Sequence, residues 1–206
     1  MPNVWILSSA FIGYLLGSLP FGYLVARAHG VDIFKVGSGN PGATNVKRVL
    51  GSKAGNTVFA LDAVKGAVAA AWPMLPFVHS ADTRIMGLVG VIAAVLGHSF
   101  SMFTKFKGGK GVATAAGGLV ILIPLASLIG VVVWALTFWI TRYVSLGSVL
   151  AAIAVPAASW LQGNPLPINV VAAALGLFVI VRHRENIKRL LNGTESKFVK
   201  KTSPPK

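Results

Sequence analysis

The sequence predicts an all-α integral membrane protein of seven transmembrane helices, with the N-terminus outside and the C-terminus cytoplasmic. Three observations lead there. Only 12% of the 206 residues are charged, 54% are hydrophobic, and the mean hydropathy is +0.72. A soluble domain carries about 25% charged residues, so too little polarity remains here to cover a wetted surface. The apolar residues also gather in long runs, at 4–28, 57–78, 85–103, 112–140, 146–161 and 166–181. Finally, 19 Lys and Arg against 5 Asp and Glu fall mostly between those runs, where their distribution reports orientation.

A spanning helix needs about 20 apolar residues, with a range of about 17–25, and the first and third runs qualify on length. The second contains Asp62 and Lys65, about one helical turn apart. Charges inside a membrane face protein or a cavity, so these two read as an ion pair near the cytoplasmic end. The fourth run is 29 residues long, with Pro124 near its centre. As one helix it gives six spans; broken at Pro124 it gives seven. Seven spans place 18 of the 19 basic residues inside and leave only Arg84 outside. Six would put Arg142 and the 8 basic residues from Arg182 onward outside, against the positive-inside rule. The segment 112–123 then has 12 residues. That is roughly 18 Å at about 1.5 Å per residue, against a core of about 30 Å. Either the preceding loop sinks into the membrane or this segment is a half-helix. No internal repeat is evident, and residues 1–206 read as one polytopic domain with a short basic tail, about 194–206, expected to fray. The N-terminus lacks the basic region of a cleaved signal peptide, since its first charge is Arg27.

The formal charge of +14 would suggest nucleic acid in a soluble protein. Between apolar runs it points instead to anionic lipid headgroups or phosphorylated substrates, with no nucleic acid partner. The absence of cysteine excludes disulfides, thiolate metal sites and a cysteine nucleophile.

Four inner segments carry the candidate chemistry. Residues 37–48 read GSGNPGATNVKR and formally contain G-x-G-x-x-G. A dinucleotide fingerprint must follow a strand, and this one follows a membrane helix, so that reading fails. Asn40 as N-cap and Pro41 at the first helical position predict a helix to about Leu50, stopped by Gly51. Its N-terminal amides would face an anion, with Ser38 and Asn45 adding donors and Arg48 a bidentate fork. A capped surface helix with no ligand fits the same pattern. Residues 97–114 hold three lysines, Lys105, Lys107 and Lys110, interleaved with Gly108, Gly109 and Gly111. Glycines let backbone amides turn toward a phosphate, and lipid attraction alone would need charge but not glycine. A flexible basic loop is the alternative, and His98 alone reads as structural. In residues 142–148, Ser145 reads as a helix cap. In residues 182–195, His183 and Asn186 share one helix face, but by pattern alone an amphipathic interfacial helix is the stronger reading.

Absences restrict the choice further. The acids Asp32, Asp62, Asp82, Glu185 and Glu195 are scattered, which argues against a carboxylate metal centre. No histidine fits the His-x-x-x-x-Asp pattern of many acyltransferases. The position is Phe34 after His29, Arg84 after His79, Phe103 after His98 and Lys188 after His183.

Taken together, GSGNPGATNVKR at 37–48, the GH…FKGGKGVAT stretch at 97–114, RHRENIKRL at 182–190 and LDAVKG at 61–66 resemble the bacterial membrane glycerol-3-phosphate acyltransferases that use acyl phosphate as donor. The resemblance covers nearly the whole chain. One departure is Ser101, where that family often has proline. The resemblance implies transfer of an acyl group from acyl phosphate to sn-glycerol 3-phosphate, giving 1-acyl-glycerol 3-phosphate and inorganic phosphate at the cytoplasmic face of the bacterial plasma membrane. It implies a site lined by Ser38, Arg48, Lys107, Ser145, His183 and Asn186. Asn45, Gly108, Gly109 and Lys110 join these from the loop readings. An acyl phosphate is already activated, so no cofactor is expected. A small anion transporter is the runner-up, disfavoured because its site would lie near the midplane. A lipid-binding protein without catalysis is a third reading.

Scattered carboxylates make the first prediction. Turnover with excess EDTA is expected to match turnover without it; loss of activity restored by Mg²⁺ would refute the metal-free reading.

Overall fold

The computed structural model describes residues 2–76, 78 and 82–198. Among them the order is α1 (Pro2–Ser18), α2 (Phe21–Ala28), α3 (Ala43–Leu50), α4 (Ser52–Ala71), α5 (Thr83–Ser99), α6 (Val112–Leu122), α7 (Pro124–Thr141), α8 (Val144–Leu161), α9 (Leu166–Arg182) and α10 (Arg184–Leu191). No strand occurs among the described residues.

Proline punctuates the long runs. The first run is interrupted at Leu19–Pro20, where Pro20 contributes no amide and disfavours helix in the residue before it. The fourth run breaks where the pattern predicted. α6 ends at Leu122, Ile123 leaves the helical region at φ −140° and ψ 67°, and Pro124 starts α7. Pro156 sits inside α8. Among the described residues four stretches are by length and composition apolar enough to cross a membrane: Val4–Ala28, Thr83–Thr104, α7 and α8. A fifth results if α9 is joined to α10 across their 58° bend. α4 carries Lys53, Asp62 and Lys65, and α6 has only 11 residues.

The helices approach closely where side chains are small. A Cβ on Gly13 or Gly17 of α1 would collide with the backbone of Gly90 or Ala94 in α5. One on Gly66 of α4 would meet the carbonyl of Thr114 in α6, and one on Gly117 of α6 that of Ala63. Lipid tails are as apolar as leucine, so dispersion between closely approaching backbones holds such helices together. Val91, Val95, Leu119 and Leu175 join α5, α6 and α9 in one core. Ala26, Ile33, Val46 and Val58 pack α2 and α3 onto α4 in a second. Large apolar side chains such as Phe11, Trp139 and Leu161 point outward.

Asp62 and Lys65 pair as expected, at 2.8 Å, and both are buried. The Lys65 ammonium also donates to the Leu19 carbonyl at 2.9 Å and lies over the Phe21 ring. His98 Nδ1 stands 3.5 Å from the same Asp62 oxygen. The pair thereby ties α4 to the break between α1 and α2 and to the end of α5.

Lys65→Met removes the closest counter-charge of a buried carboxylate. We expect a loss of about 3–5 kcal/mol in unfolding free energy. The double variant Asp62→Leu/Lys65→Met should recover most of it. A thermal melt in detergent showing both single and double variants at the wild-type midpoint would contradict this.

Candidate active site

A cavity of about 370 Å³ opens among α3, α4, α7, α8 and the α9–α10 elbow. Its polar part is built by Ser38, Arg48, Lys110, Ser145, His183 and Asn186, and Phe59, Trp134 and Phe138 make an apolar wall.

Local rules place the first loop. Gly37 and Gly39 have φ of 59° and 67°, which glycine adopts without strain. Asn45 is buried, accepting from the Ser38 amide at 2.9 Å and donating to the Val36 carbonyl at 3.1 Å. It therefore locks the loop over its own helix. The predicted cap requires correction. Asn40 Oδ1 accepts from the Gly42 amide at 2.8 Å, closing a turn, and α3 starts at Ala43 with Gly42 as cap. The helix still ends at Leu50, with Gly51 at φ 91°. Ala43 and Thr44 line the cavity, and amides of a first turn have no intrahelical acceptor.

The second loop is turned differently from the expected cradle. Lys110 and Gly111 line the cavity, while Lys107, Gly108 and Gly109 border a separate recess of about 10 Å³ on the far side of Asp62 and His98. The Gly109 amide donates to the His98 carbonyl at 3.1 Å. A Cβ on Gly108 would strike that carbonyl, and one on Gly109 the His98 ring. These glycines permit close approach to His98, and the Gly109 amide is used inside the protein. Ser101, at the departure from the family pattern, donates to the Ser18 carbonyl at 2.5 Å and accepts from the Phe103 amide at 3.2 Å, which closes the turn.

The tail completes the site instead of fraying through 194–198; residues 199–206 lie outside the described residues. Glu195 is buried. Its Oε1 accepts from Ser145 Oγ and Asn186 Nδ2, each at 2.7 Å, and its Oε2 from Arg189 Nε at 2.7 Å. Arg48 donates to the Ser196 carbonyl at 3.1 Å, and Lys47 lies over the Phe198 ring. Lys110 donates to Asn186 Oδ1. So Ser145, Asn186, Arg48 and Lys110 come together, and Lys107 stays exposed at the edge. Glu195, Arg189, Lys47 and the aromatic wall were not singled out from sequence. The one available signal was Glu195's rarity as an acid beside a basic helix.

Burial raises the Glu195 carboxyl, but bonds from Asn186, Ser145 and Arg189 outweigh it and hold the group below the usual range. Burial, then the Lys110 ammonium, pushes His183 down to about 4. Its ring is neutral near pH 7, with Nδ1 bonded to the Val179 carbonyl at 2.7 Å and Nε2 left as acceptor. Burial first, then repulsion from Arg189, Arg48 and Arg182, brings Lys110 down to about 8 against the pull of Glu195. Among the described residues no group of three or more His, Cys, Asp or Glu could hold a metal.

Fold and site together define a helical membrane protein with a cationic, partly apolar cavity suited to an anionic amphiphile. The sequence pattern of glycerol-3-phosphate acyltransferases matches residues 7–193, and the chain belongs to that family. It is 45% identical over 185 residues to the glycerol-3-phosphate acyltransferase of Aquifex aeolicus, covering 90% of this chain and 95% of that one. It is 45% identical over 187 residues to that of Bacillus subtilis, covering 90% and 94%. The crystal structure of PlsY, an integral membrane glycerol 3-phosphate acyltransferase, in its glycerol 3-phosphate form superposes with a TM-score of 0.88 at 42% identity, covering 94% of this chain and 96% of that one. The lysophosphatidic acid form gives 0.85 at 42% identity, covering 94% and 95%.

An ammonium such as that of Lys110 can hold an anion only while protonated. Its lowered pKa means the charge is complete well below about 8 and is lost as pH rises through it. We expect kcat/KM to fall on that alkaline side, with Lys110→Arg moving the fall upward. An unchanged alkaline profile in Lys110→Arg would count against the assignment.

Proposed function

We propose that this chain transfers a fatty acyl group from acyl phosphate to the 1-hydroxyl of sn-glycerol 3-phosphate, releasing 1-acyl-glycerol 3-phosphate and inorganic phosphate, as a step of phospholipid synthesis. The observation that carries the reading is the single cavity joining Arg48, Lys110 and the first turn of α3 to an apolar wall of Phe59, Trp134 and Phe138. Both substrates bring phosphate and one brings a long apolar chain.

In this mechanism Arg48, Ser38 and the α3 amides take one phosphate, with Asn45 holding their loop. Lys110 takes the other, with Lys107, Gly108 and Gly109 behind it in the same loop. Ser145 and Asn186 orient the reacting groups, exchanging their bonds to Glu195 for bonds to substrate. The glycerol 1-hydroxyl oxygen attacks the acyl carbon, the bond from that carbon to the phosphate oxygen breaks, and phosphate leaves. The hydroxyl proton goes to the donor's own phosphate. That group is adjacent to the carbonyl by construction, whereas His183, near 4, is a weak base at neutral pH. The 1-hydroxyl has only that proton to give, so His183 Nε2 accepts instead from the neighbouring 2-hydroxyl and orients the glycerol. The anhydride is already activated, so positioning and charge stabilisation supply the catalysis and no cofactor is needed.

In the proposed topology residues 1–206 form one domain, and α1 and α4 to α9 make seven spans. The N-terminus is outside, and the site faces the cytoplasm of a bacterial plasma membrane. The inward bias of basic residues supports this. Single cysteines replacing Asn3 and Ser203 should label from opposite sides of sealed vesicles. Labelling from one side would refute the count.

The enzyme reading is tested with purified chain, labelled glycerol 3-phosphate and either palmitoyl phosphate or palmitoyl-coenzyme A. A lipid-soluble labelled product is expected from the phosphate donor alone. Equal use of the thioester would overturn the donor assignment, and no product from either would overturn the reaction.

A further inference from the structure

The strand of loop that brings Lys110 to the cavity is held from one side by its own hydrogen bonds. The Phe106 amide donates to the Ser101 carbonyl at 2.8 Å, and Thr104 Oγ1 to the Lys107 carbonyl at 2.6 Å. Yet Lys105 and Phe106, neither a glycine, sit at φ of 53° and 60°. Such conformations persist only where the surroundings impose them. The opposing constraint comes from α9. Arg182, in its last turn, sends Nη2 to the carbonyls of Gly108 at 3.3 Å and Gly109 at 2.9 Å. Its guanidinium carbon lies 5.4 Å from the Phe100 ring centre. Four residues on, across the elbow, Asn186 accepts from the Lys110 ammonium. One elbow thus grips the loop twice, once by its backbone and once by its lysine.

We propose that Arg182 is a positioning residue, clamping the Gly108 and Gly109 carbonyls so that Lys110 reaches the cavity beside Asn186. The kinetic part rests on the acyl-transfer reading; the clamp itself does not. The chemistry needs arginine. Both bonds come from Nη2, held at the end of a rigid planar guanidinium beside the Phe100 ring, whereas a lysine ammonium is a point charge on a flexible stem. Arg182 also acts on Lys110 through charge. The groups facing that ammonium are Glu195 from the tail, Arg189 and His183 from the elbow, Arg48 from α3 and Arg182 from α9. Of these Arg182 is one of the three cations that push it down.

The test uses the full chain in detergent, with Arg182→Met and Arg182→Lys beside wild type and Arg184→Gln. Arg184 is exposed and pairs loosely with Glu185 at 3.7 Å, so its variant serves as control. Methionine keeps a stem against Phe100 and loses fork and charge. Amide hydrogen exchange reads the clamp without reference to activity. The peptide spanning 105–111 should exchange faster in Arg182→Met, while α3 keeps wild-type protection. Kinetics read the consequence. kcat/KM for glycerol 3-phosphate should fall on the order of tenfold or more in both Arg182 variants. The alkaline limb should move upward in Arg182→Met, which has lost a neighbouring cation, and stay in place in Arg182→Lys. Unchanged exchange in 105–111 overturns the clamp. Faster exchange with wild-type kcat/KM overturns its role in the reaction. If Arg182→Met does not fold, Arg182→Lys decides by the same two readings: wild-type exchange or wild-type kcat/KM in it sinks the proposal. A wild type that turns over neither donor refutes the acyl-transfer reading and leaves the exchange result standing.

Discussion

The rest of the structure leans on the buried contact between Asp62, Lys65 and the Leu19 carbonyl. A charge in an apolar medium must be partnered, and here the partnering is shared among three elements. Lys65 reaches a carbonyl freed by the break before Pro20, which an unbroken helix would have used itself. Asp62 extends to His98, whose carbonyl holds the Gly109 amide. The interaction therefore holds the break ahead of α2 and the end of α5, from which the loop carrying Gly108 and Gly109 departs. The close backbone contacts of Gly66 and Gly117 keep α4 and α6 in register around it.

The cavity shows the same constraint with the signs reversed. Arg48, Lys110 and Arg189 converge on one space, and in the free protein their mutual repulsion needs an anion. Glu195 supplies it, sharing its carboxylate among Ser145, Asn186 and Arg189. The donors are thus already pointed inward and hydrogen-bonded. A phosphate bound as proposed would meet groups whose ordering has largely been done, which is the physical content of preorganisation.

Much of this was legible in the sequence where the information was local. Pro124 in a run too long for one helix foretold the break between α6 and α7, and the spacing of Asp62 and Lys65 foretold their pair. Arg48, Ser145, His183 and Asn186 do border one cavity. The start of α3 was misread by two residues, because Asn40 has two ways to satisfy a nearby amide and only the backbone trace chooses between them. The glycine-rich composition at 108 and 109 predicts a cradle. Composition states that the backbone comes close to something; it does not state whether that is a ligand or His98. The role of Glu195 is not legible from spacing for another reason. Its partners lie 50 residues away at Ser145 and 9 away at Asn186. Their meeting depends on the 58° bend between α9 and α10, which no spacing rule encodes.

That bend has a practical consequence for where the protein ends. The last helix stops at Leu191, and the family's sequence pattern stops at residue 193. A boundary drawn by either criterion would spare every helix and look harmless. It would nonetheless cut away Glu195, Ser196 and Phe198, leaving Ser145 and Asn186 without their shared acceptor and Arg48 without the Ser196 carbonyl. The contacts that close the cavity thus run several residues beyond the last regular structure.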